Sequence, residues 1–196
     1  MVKPAADNPN HSGDETFDAA RPFDSVLRLR DVAPQAPVNL GDTIHLGIRL
    51  TLDGDALDEI AWLVGTPRKA AKASACAQRE PLLETIRQQL GVWFADPTFA
   101  FQLPLAAPRT AFQARLRDAL WATHFGDTLT YGDLAKQLNS APRAVGQALG
   151  SNPLPIIVPC HRIISAGINR LTGFNHASNG PMLTLKAWLL EREARA

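Results

Sequence analysis

The chain has 196 residues, of which 45% are hydrophobic, which allows one large domain or two small ones with a buried core. Its two cysteines, Cys76 and Cys160, exclude a disulfide scaffold and a four-cysteine zinc site. The sequence has neither the roughly 18 consecutive apolar residues of a membrane span nor a signal-peptide core. We therefore expect a cytoplasmic protein without a membrane partner, with a disordered tail over residues 1–22.

The formal net charge of +1 is unevenly distributed. Residues 1–107 contain 14 acidic and 10 basic side chains, whereas residues 108–196 contain 5 acidic and 10 basic ones. A polyanionic partner is therefore expected to bind the second region.

The first region is predicted to contain strands followed by one helix. Residues 24–66 are typical of strands, because apolar residues alternate across 44–52. Residues 67–76 fit a loop or a short helix, and Cys76 within them is interpreted as a small buried hydrophobe. An apolar stripe then predicts a helix from Glu80 to Phe94.

Residues 104–110 are predicted to link this region to a second, helical one. Apolar stripes and cap residues, among them Thr130 as an N-cap, predict its helices. Their expected bounds are Thr110 to Ala122, Tyr131 to Leu138, Pro142 to Leu149 and Met182 to Arg195. The two central helices, joined by a tight turn, have the pattern of a helix-turn-helix.

The segment SNPLPIIVPCHRII (151–164) contains the candidate nucleophile, Cys160. Three prolines stiffen it, and Ile156 to Val158 are predicted to form a short buried strand. A neighbouring imidazole or cation lowers the pKa of a thiol, and His161 can serve as its base. The pair is a poor metal site, because two adjacent ligands without a second cluster do not make tetrahedral zinc.

The string PCHRII, preceded by SNPLPIIV, resembles the active-site motif of the O6-alkylguanine-DNA alkyltransferases, also called methylated-DNA–protein-cysteine methyltransferases. The resemblance covers roughly residues 90–196. It includes the strings FADPTFAFQLPL, TAFQARLRDALWATHFGDTLTYGDLAKQL, PRAVGQALGSNP and KAWLLERE.

The resemblance implies the roles of four catalytic residues. Cys160 is the nucleophile and alkyl acceptor, and His161 deprotonates it through a bound water. Glu193, five residues after the tryptophan of KAWLLERE, orients the histidine. Tyr131 helps to rotate the target nucleotide and protonates the guanine at N3. The resemblance implies no cofactor and no metal for this chain.

The same resemblance implies a binding surface for double-stranded DNA. Arg143 enters the base stack in place of the extruded nucleotide, and the helix after it docks into the minor groove. Asn152 ties this helix to the active-site strand. The residues expected to bind DNA are Arg143, Ala144, Gly146, Asn152 and Thr130. Those expected to line the substrate pocket are Val158, Pro155, Ile163, Phe174 and Leu149.

By resemblance we expect an α+β fold, with a small sheet-and-helix domain over residues 23–107. A winged-helix or helix-turn-helix-like domain over residues 108–196 should follow it. The implied function is the irreversible transfer of an alkyl group from O6-alkylguanine, and from O4-alkylthymine, to Cys160 by a monomer.

Two segments depart from the family pattern. The spacing from Tyr131 to Arg143 is two residues shorter than in most members, and the loop 165–181 is longer. The nearest alternative function is an alkyltransferase-like protein that binds lesions without catalysis, although Cys160 argues against it. A cysteine hydrolase and a DNA-binding module with an incidental cysteine also remain open.

Overall fold

The molecule is described by a computed structural model over most of the chain. The described residues are 23–51, 54–65, 79–168 and 170–195. The expected N-terminal tail, the basic segment 67–76 and Cys76 lie outside these residues.

The first part of the chain forms a three-stranded antiparallel sheet, two single-turn helices and one long helix. In chain order they are β1 (Ser25–Arg28), α1 (Leu29–Val32), α2 (Val38–Gly41), β2 (Ile44–Leu50), β3 (Leu57–Val64) and α3 (Glu80–Ala95). The prediction of strands followed by a helix from Glu80 is confirmed.

The alternation predicted for residues 44–52 places one face of β2, the central strand, in the core. Ile44, Leu46 and Ile48 are fully buried on that face. On the opposite face the ring of Phe23 covers Gly47, where an added Cβ would lie 2.7 Å from a ring carbon. The alternation therefore positions this strand between the core and a covering aromatic ring.

The linker follows the edge of this sheet. The backbone N–H of Leu57 donates to the carbonyl of Pro104 at 2.8 Å, and the N–H of Ala106 donates to the carbonyl of Leu57 at 2.9 Å. A third bond, from the N–H of Ile60 to the carbonyl of Pro153 at 2.8 Å, connects β3 to the segment before Cys160. The sheet therefore supports the backbone that carries the candidate site.

The second part of the chain is mainly helical, with one short parallel strand pair. Its elements are α4 (Ala111–Trp121), β4 (Leu129–Thr130), α5 (Tyr131–Gln137), α6 (Pro142–Gly150), a 3₁₀ turn (Cys160–Arg162), β5 (Ile163–Ile164) and α7 (Pro181–Ala194). The four predicted helices are confirmed, and the overall architecture is the expected α+β.

The shortened turn between α5 and α6 is a Schellman motif. Asn139 has a positive φ of 48°. Its N–H donates to the carbonyl of Lys136, and the N–H of Ser140 donates to the carbonyl of Ala135. An asparagine tolerates this left-handed conformation better than most residues do. The turn therefore closes in few residues and leaves Pro142 to begin α6.

Helix α7 buries two charged residues on its apolar face. Met182, Leu185 and Leu189 lie on this face, and Lys186 and Glu193 are 1% and 2% exposed beside them. One cluster of buried apolar residues continues from the sheet to α7. Among the described residues, no helix is long and apolar enough to cross a membrane.

Candidate active site

The segment before Cys160 is a compact turn, and the predicted strand over Ile156 to Val158 is wrong. The N–H of Val158 donates to the carbonyl of Leu154 at 2.8 Å. Ile156 has a φ of 76°, a left-handed conformation that costs a β-branched residue on the order of 1–3 kcal/mol. Prolines also remove backbone donors that a strand would need.

Pro159 turns the chain again, directly before the cysteine. Its φ of −77° and ψ of 65° define an inverse γ-turn. The N–H of Cys160 closes it by donating to the carbonyl of Val158 at 2.7 Å. The 3₁₀ turn that follows contains Cys160, His161 and Arg162, all of them buried.

Two side chains hold this turn from outside. Asn152 donates from Nδ2 to the carbonyl of Val158 at 2.9 Å and accepts from the N–H of Leu154 at 3.1 Å. Trp121 in α4 donates from Nε1 to the carbonyl of Ile157 at 2.9 Å. Asn152 follows α6, so it connects the end of that helix to the active-site turn.

His161 and Glu193 form a buried pair. The distance from His161 Nε2 to Glu193 Oε1 is 2.9 Å, and His161 is fully buried. Burial would raise the pKa of Glu193, but hydrogen bonds from His161 and Arg162 outweigh it and lower that pKa to about 2. Since the carboxylate only accepts, His161 donates from Nε2, and its buried Nδ1 has no hydrogen-bond partner among the described residues.

Tyr131 and Cys160 line one cavity of about 160 Å³. It lies between α5, α6 and the loop before α7. The other lining residues are Gly146, Leu149, Gly150, Gly173, Phe174, Asn175, His176, Ala177 and Ser178. Cys160 therefore faces a cavity with both polar and apolar lining residues, although it is itself only 7% exposed.

Burial raises the pKa of the Cys160 thiol, although a hydrogen bond from Asn152 and the charge of Lys186 oppose this effect. Its neighbours therefore do lower this pKa, but burial outweighs them in the resting protein. Burial also raises the pKa of Tyr131. Both groups are protonated at neutral pH, so the thiol needs a base and the phenol can donate a proton.

Lys186 lies behind the cavity, with its ammonium bound to backbone carbonyls. Nζ donates to Ile163 at 2.6 Å, Thr172 at 3.1 Å and Gly173 at 3.0 Å. The Tyr131 hydroxyl donates to the carbonyls of Thr172 and Gly173, both at 3.3 Å. Burial lowers the pKa of Lys186 to about 8. The lysine remains a cation at neutral pH and fixes the loop that closes the cavity.

Comparison with known proteins places this site in a family. Residues 111–195 match the family model of the 6-O-methylguanine DNA methyltransferase DNA binding domain. A methylated-DNA–protein-cysteine methyltransferase of Methanosarcina acetivorans is 35% identical over 148 residues, which are 74% of this chain and 90% of that protein. One of Methanocaldococcus jannaschii is 48% identical over 82 residues, but these are only 42% of this chain and 45% of that protein.

The chain belongs to the methylated-DNA–protein-cysteine methyltransferase family. Solved structures agree with this assignment. The Mycobacterium tuberculosis OGT in complex with DNA is 32% identical, with a TM-score of 0.58 over 77% of this chain and 87% of that one. The Methanococcus jannaschii O6-methylguanine DNA methyltransferase is 30% identical, with a TM-score of 0.56 over 79% of this chain and 90% of that one.

In this methyltransferase, α6 is the second helix of the helix-turn-helix. Arg143 is exposed near the beginning of α6, and its side chain has no hydrogen bond or ion pair to any other described residue. Ala144 and Gly146 are partly exposed, and Gly146 also lines the cavity. Thr130 is an N-cap: its hydroxyl accepts from the N–H of Asp133 at 3.1 Å.

The structure brings only part of the expected substrate pocket together. Phe174 and Leu149 line the cavity with Cys160. Pro155 and Ile163 are buried and do not line it. Val158 lines a smaller cavity, of about 40 Å³, between the linker, α4 and α6. The backbone carbonyls of Val158 and Ile163 accept hydrogen bonds from the side chains of Asn152 and Lys186, respectively.

Sequence reasoning assigned no role to Lys186, Arg162 or His176. The spacing of Lys186 from Met182 and Leu189 on one helical stripe is a signal of burial that could have identified it. Arg162 directly follows the catalytic pair in sequence, but no pattern shows that it contacts Glu193. Among the described residues, no group of three His, Cys, Asp or Glu side chains could hold a metal ion.

Proposed function

We propose that this methyltransferase repairs O6-alkylguanine in duplex DNA by moving the alkyl group to Sγ of Cys160 in one irreversible turnover. The observation that carries this proposal is that Cys160 and Tyr131 line one cavity, and that His161, the residue after Cys160, is hydrogen-bonded to Glu193. Cys160 is then the nucleophile, Tyr131 the proton donor, and His161 the base that Glu193 holds.

The bond changes assign a proton to each of these groups. His161 takes the thiol proton through a water molecule at its Nδ1, and the thiolate attacks the alkyl carbon in line. The S–C bond forms as the bond from that carbon to guanine O6 breaks. Tyr131 gives its proton to N3 of the leaving guanine, and solvent later takes the proton from His161 and returns one to Tyr131. The products are a thioether and an unmodified guanine.

The substrate base has to leave the duplex to reach Cys160. O6 of guanine is paired and stacked in DNA, and extruding the nucleotide costs a few kcal/mol. Arg143 is exposed near the beginning of α6, so its side chain can fill the gap in the stack. The small residues Ala144 and Gly146 allow the helix backbone to approach the narrow minor groove. We propose that the protein acts in this way as a monomer.

Mass spectrometry tests this function directly. The full chain is incubated with an equimolar duplex containing one O6-methylguanine, and the peptide with Cys160 should gain the mass of one methylene. Cys160→Ser should bind the duplex without gaining this mass, and Cys76→Ser is the matched control that should still gain it. Binding without an adduct would instead indicate a lesion-binding protein, and repeated turnover of a thioester would indicate a hydrolase.

A further inference from the structure

The loop before α7 contains a two-residue hairpin turn at the edge of the active-site cavity. The backbone N–H of Phe174 donates to the carbonyl of Ala177, and the N–H of Ala177 donates back to the carbonyl of Phe174, both at 2.9 Å. Between them Asn175 and His176 have positive φ angles of 49° and 59°, as in a type I′ turn. Phe174 is 6% exposed. The turn is therefore held by its backbone bonds and by a buried ring.

His176 occupies the second position of this turn, where glycine is favoured. A side chain in the left-handed region meets its own backbone, so such a conformation persists only where the surrounding structure holds it. Histidine adopts it more readily than most residues do, but still less readily than glycine. We therefore expect the His176 side chain to have a role of its own.

The His176 ring lies against the end of α6. A Cβ built on Gly150 would be 2.7 Å from both Cε1 and Nδ1 of this ring, which is closer than such atoms pack. Only a glycine at this position leaves room for the ring. Gly146, one helical turn earlier, lines the same cavity beside Tyr131. The two glycines therefore leave a face of α6 without side chains, and the His176 ring covers one end of it.

His176 forms part of the wall of the cavity that contains Cys160. The cavity has a volume of about 160 Å³, and Cys160, Tyr131, Gly150 and His176 all line it. In the proposed reaction the alkyl carbon lies next to Sγ of Cys160, and the guanine lies beyond that carbon. The base and its alkyl group then share one cavity, so the position of each wall decides which alkyl groups fit. Since Phe174 anchors the turn, this wall cannot retreat without breaking backbone bonds.

We propose that His176 is a specificity-determining residue, whose ring against Gly150 restricts transfer to small alkyl groups such as methyl. This inference rests on the proposed function and narrows its substrate class. The ring acts by occupying space, so the role does not depend on its charge. A benzyl group, which is planar and much larger than methyl, is a substituent that this wall excludes.

Single-turnover transfer from two duplexes of the same sequence tests the role of the ring. One duplex contains O6-methylguanine and the other O6-benzylguanine, and mass spectrometry measures each adduct on the peptide with Cys160. The rates are compared for the full chain, for His176→Gly and for Asn179→Gly. Glycine suits the left-handed backbone at position 176, so H176G removes the ring and retains the turn. Asn179→Gly is the matched control, because it adds a glycine to the same loop at a residue that does not line the cavity.

For H176G the ratio of the benzyl rate to the methyl rate should rise about tenfold or more, since a single methylene in a pocket already alters selectivity by that order. The ratio for N179G should equal that of the wild type. A second measurement needs no DNA. Gly150→Ala should lower the melting temperature more in the wild type, where the added methyl group meets the ring, than in H176G.

Three results would overturn the inference. One is an unchanged ratio for H176G. Another is an equal rise for N179G, which would assign the effect to a looser loop. The third is an equal loss of melting temperature for G150A in both backgrounds, which would mean that the ring does not lie on Gly150. Failure of the proposed function looks different, because the wild-type chain would then form no methylated Cys160 while the comparison of G150A in the two backgrounds could still be made.

Discussion

The low pKa of Glu193 predicts that acid destabilises the active site. Folding lowers the pKa of this carboxyl from 4.5 to about 2, because hydrogen bonds from His161 and Arg162 outweigh the opposing effect of burial. The shift corresponds to about 3 kcal/mol of stability. The folded pKa is the lower one, so this stability is fully present above pH 4.5 and is lost as the pH falls toward 2. About 2 kcal/mol of it should be lost by pH 3.

Urea unfolding of the wild type and of E193Q at pH 7, 5, 4 and 3 measures this contribution. The glutamine cannot titrate, so the difference in the free energy of unfolding between the two proteins should shrink by about 2 kcal/mol between pH 7 and pH 3. E191Q changes an exposed glutamate of the same helix and controls for the general loss of a carboxylate. A wild-type advantage over E193Q that is the same at pH 3 as at pH 7 would refute the reasoning.

Three further substitutions test separate parts of the molecule. Tyr131→Phe should retain DNA binding but slow methyl transfer by about 10²-fold or more, since it removes a proton donor; an unchanged single-turnover rate would contradict this role. Arg143→Ala should weaken binding to the lesion duplex, as measured by fluorescence anisotropy, because no side chain then fills the gap that the extruded nucleotide leaves. An affinity equal to that of the wild type would contradict this role. Thr130→Ala removes the N-cap of α5 and should cost about 1 kcal/mol in urea unfolding.

The helices could be predicted from the sequence because their signals are local. Thr110 and Thr130 cap α4 and α5 with their own side chains, and the sequence predicted the helix start at Thr110 and the N-cap at Thr130. Pro142 begins α6 for an equally local reason, since its missing N–H is not needed there. The pairing of His161 with Glu193 followed from family resemblance, because 32 positions of sequence separate the two residues.

The active-site turn could not be predicted in the same way. Three consecutive apolar residues, Ile156 to Val158, are typical of a buried strand, but the surrounding prolines and the left-handed backbone of Ile156 produce a turn instead. Asn152 and Trp121 hold that turn through contacts that depend on the packing of α4 and α6. The roles of Arg162 and Lys186 also depend on tertiary structure, because each is set by the backbone or side chain that packs against it.

Cys160, the proposed nucleophile, is protonated in the resting protein. Burial raises the pKa of Cys160, and thiols react with oxidants far more slowly than thiolates do. A permanently ionised sulfur would be faster at transfer but also more easily lost to oxidation, and a protein that uses this cysteine once cannot recover it. The proposed reaction therefore benefits from a thiol that loses its proton only when a base takes it during transfer.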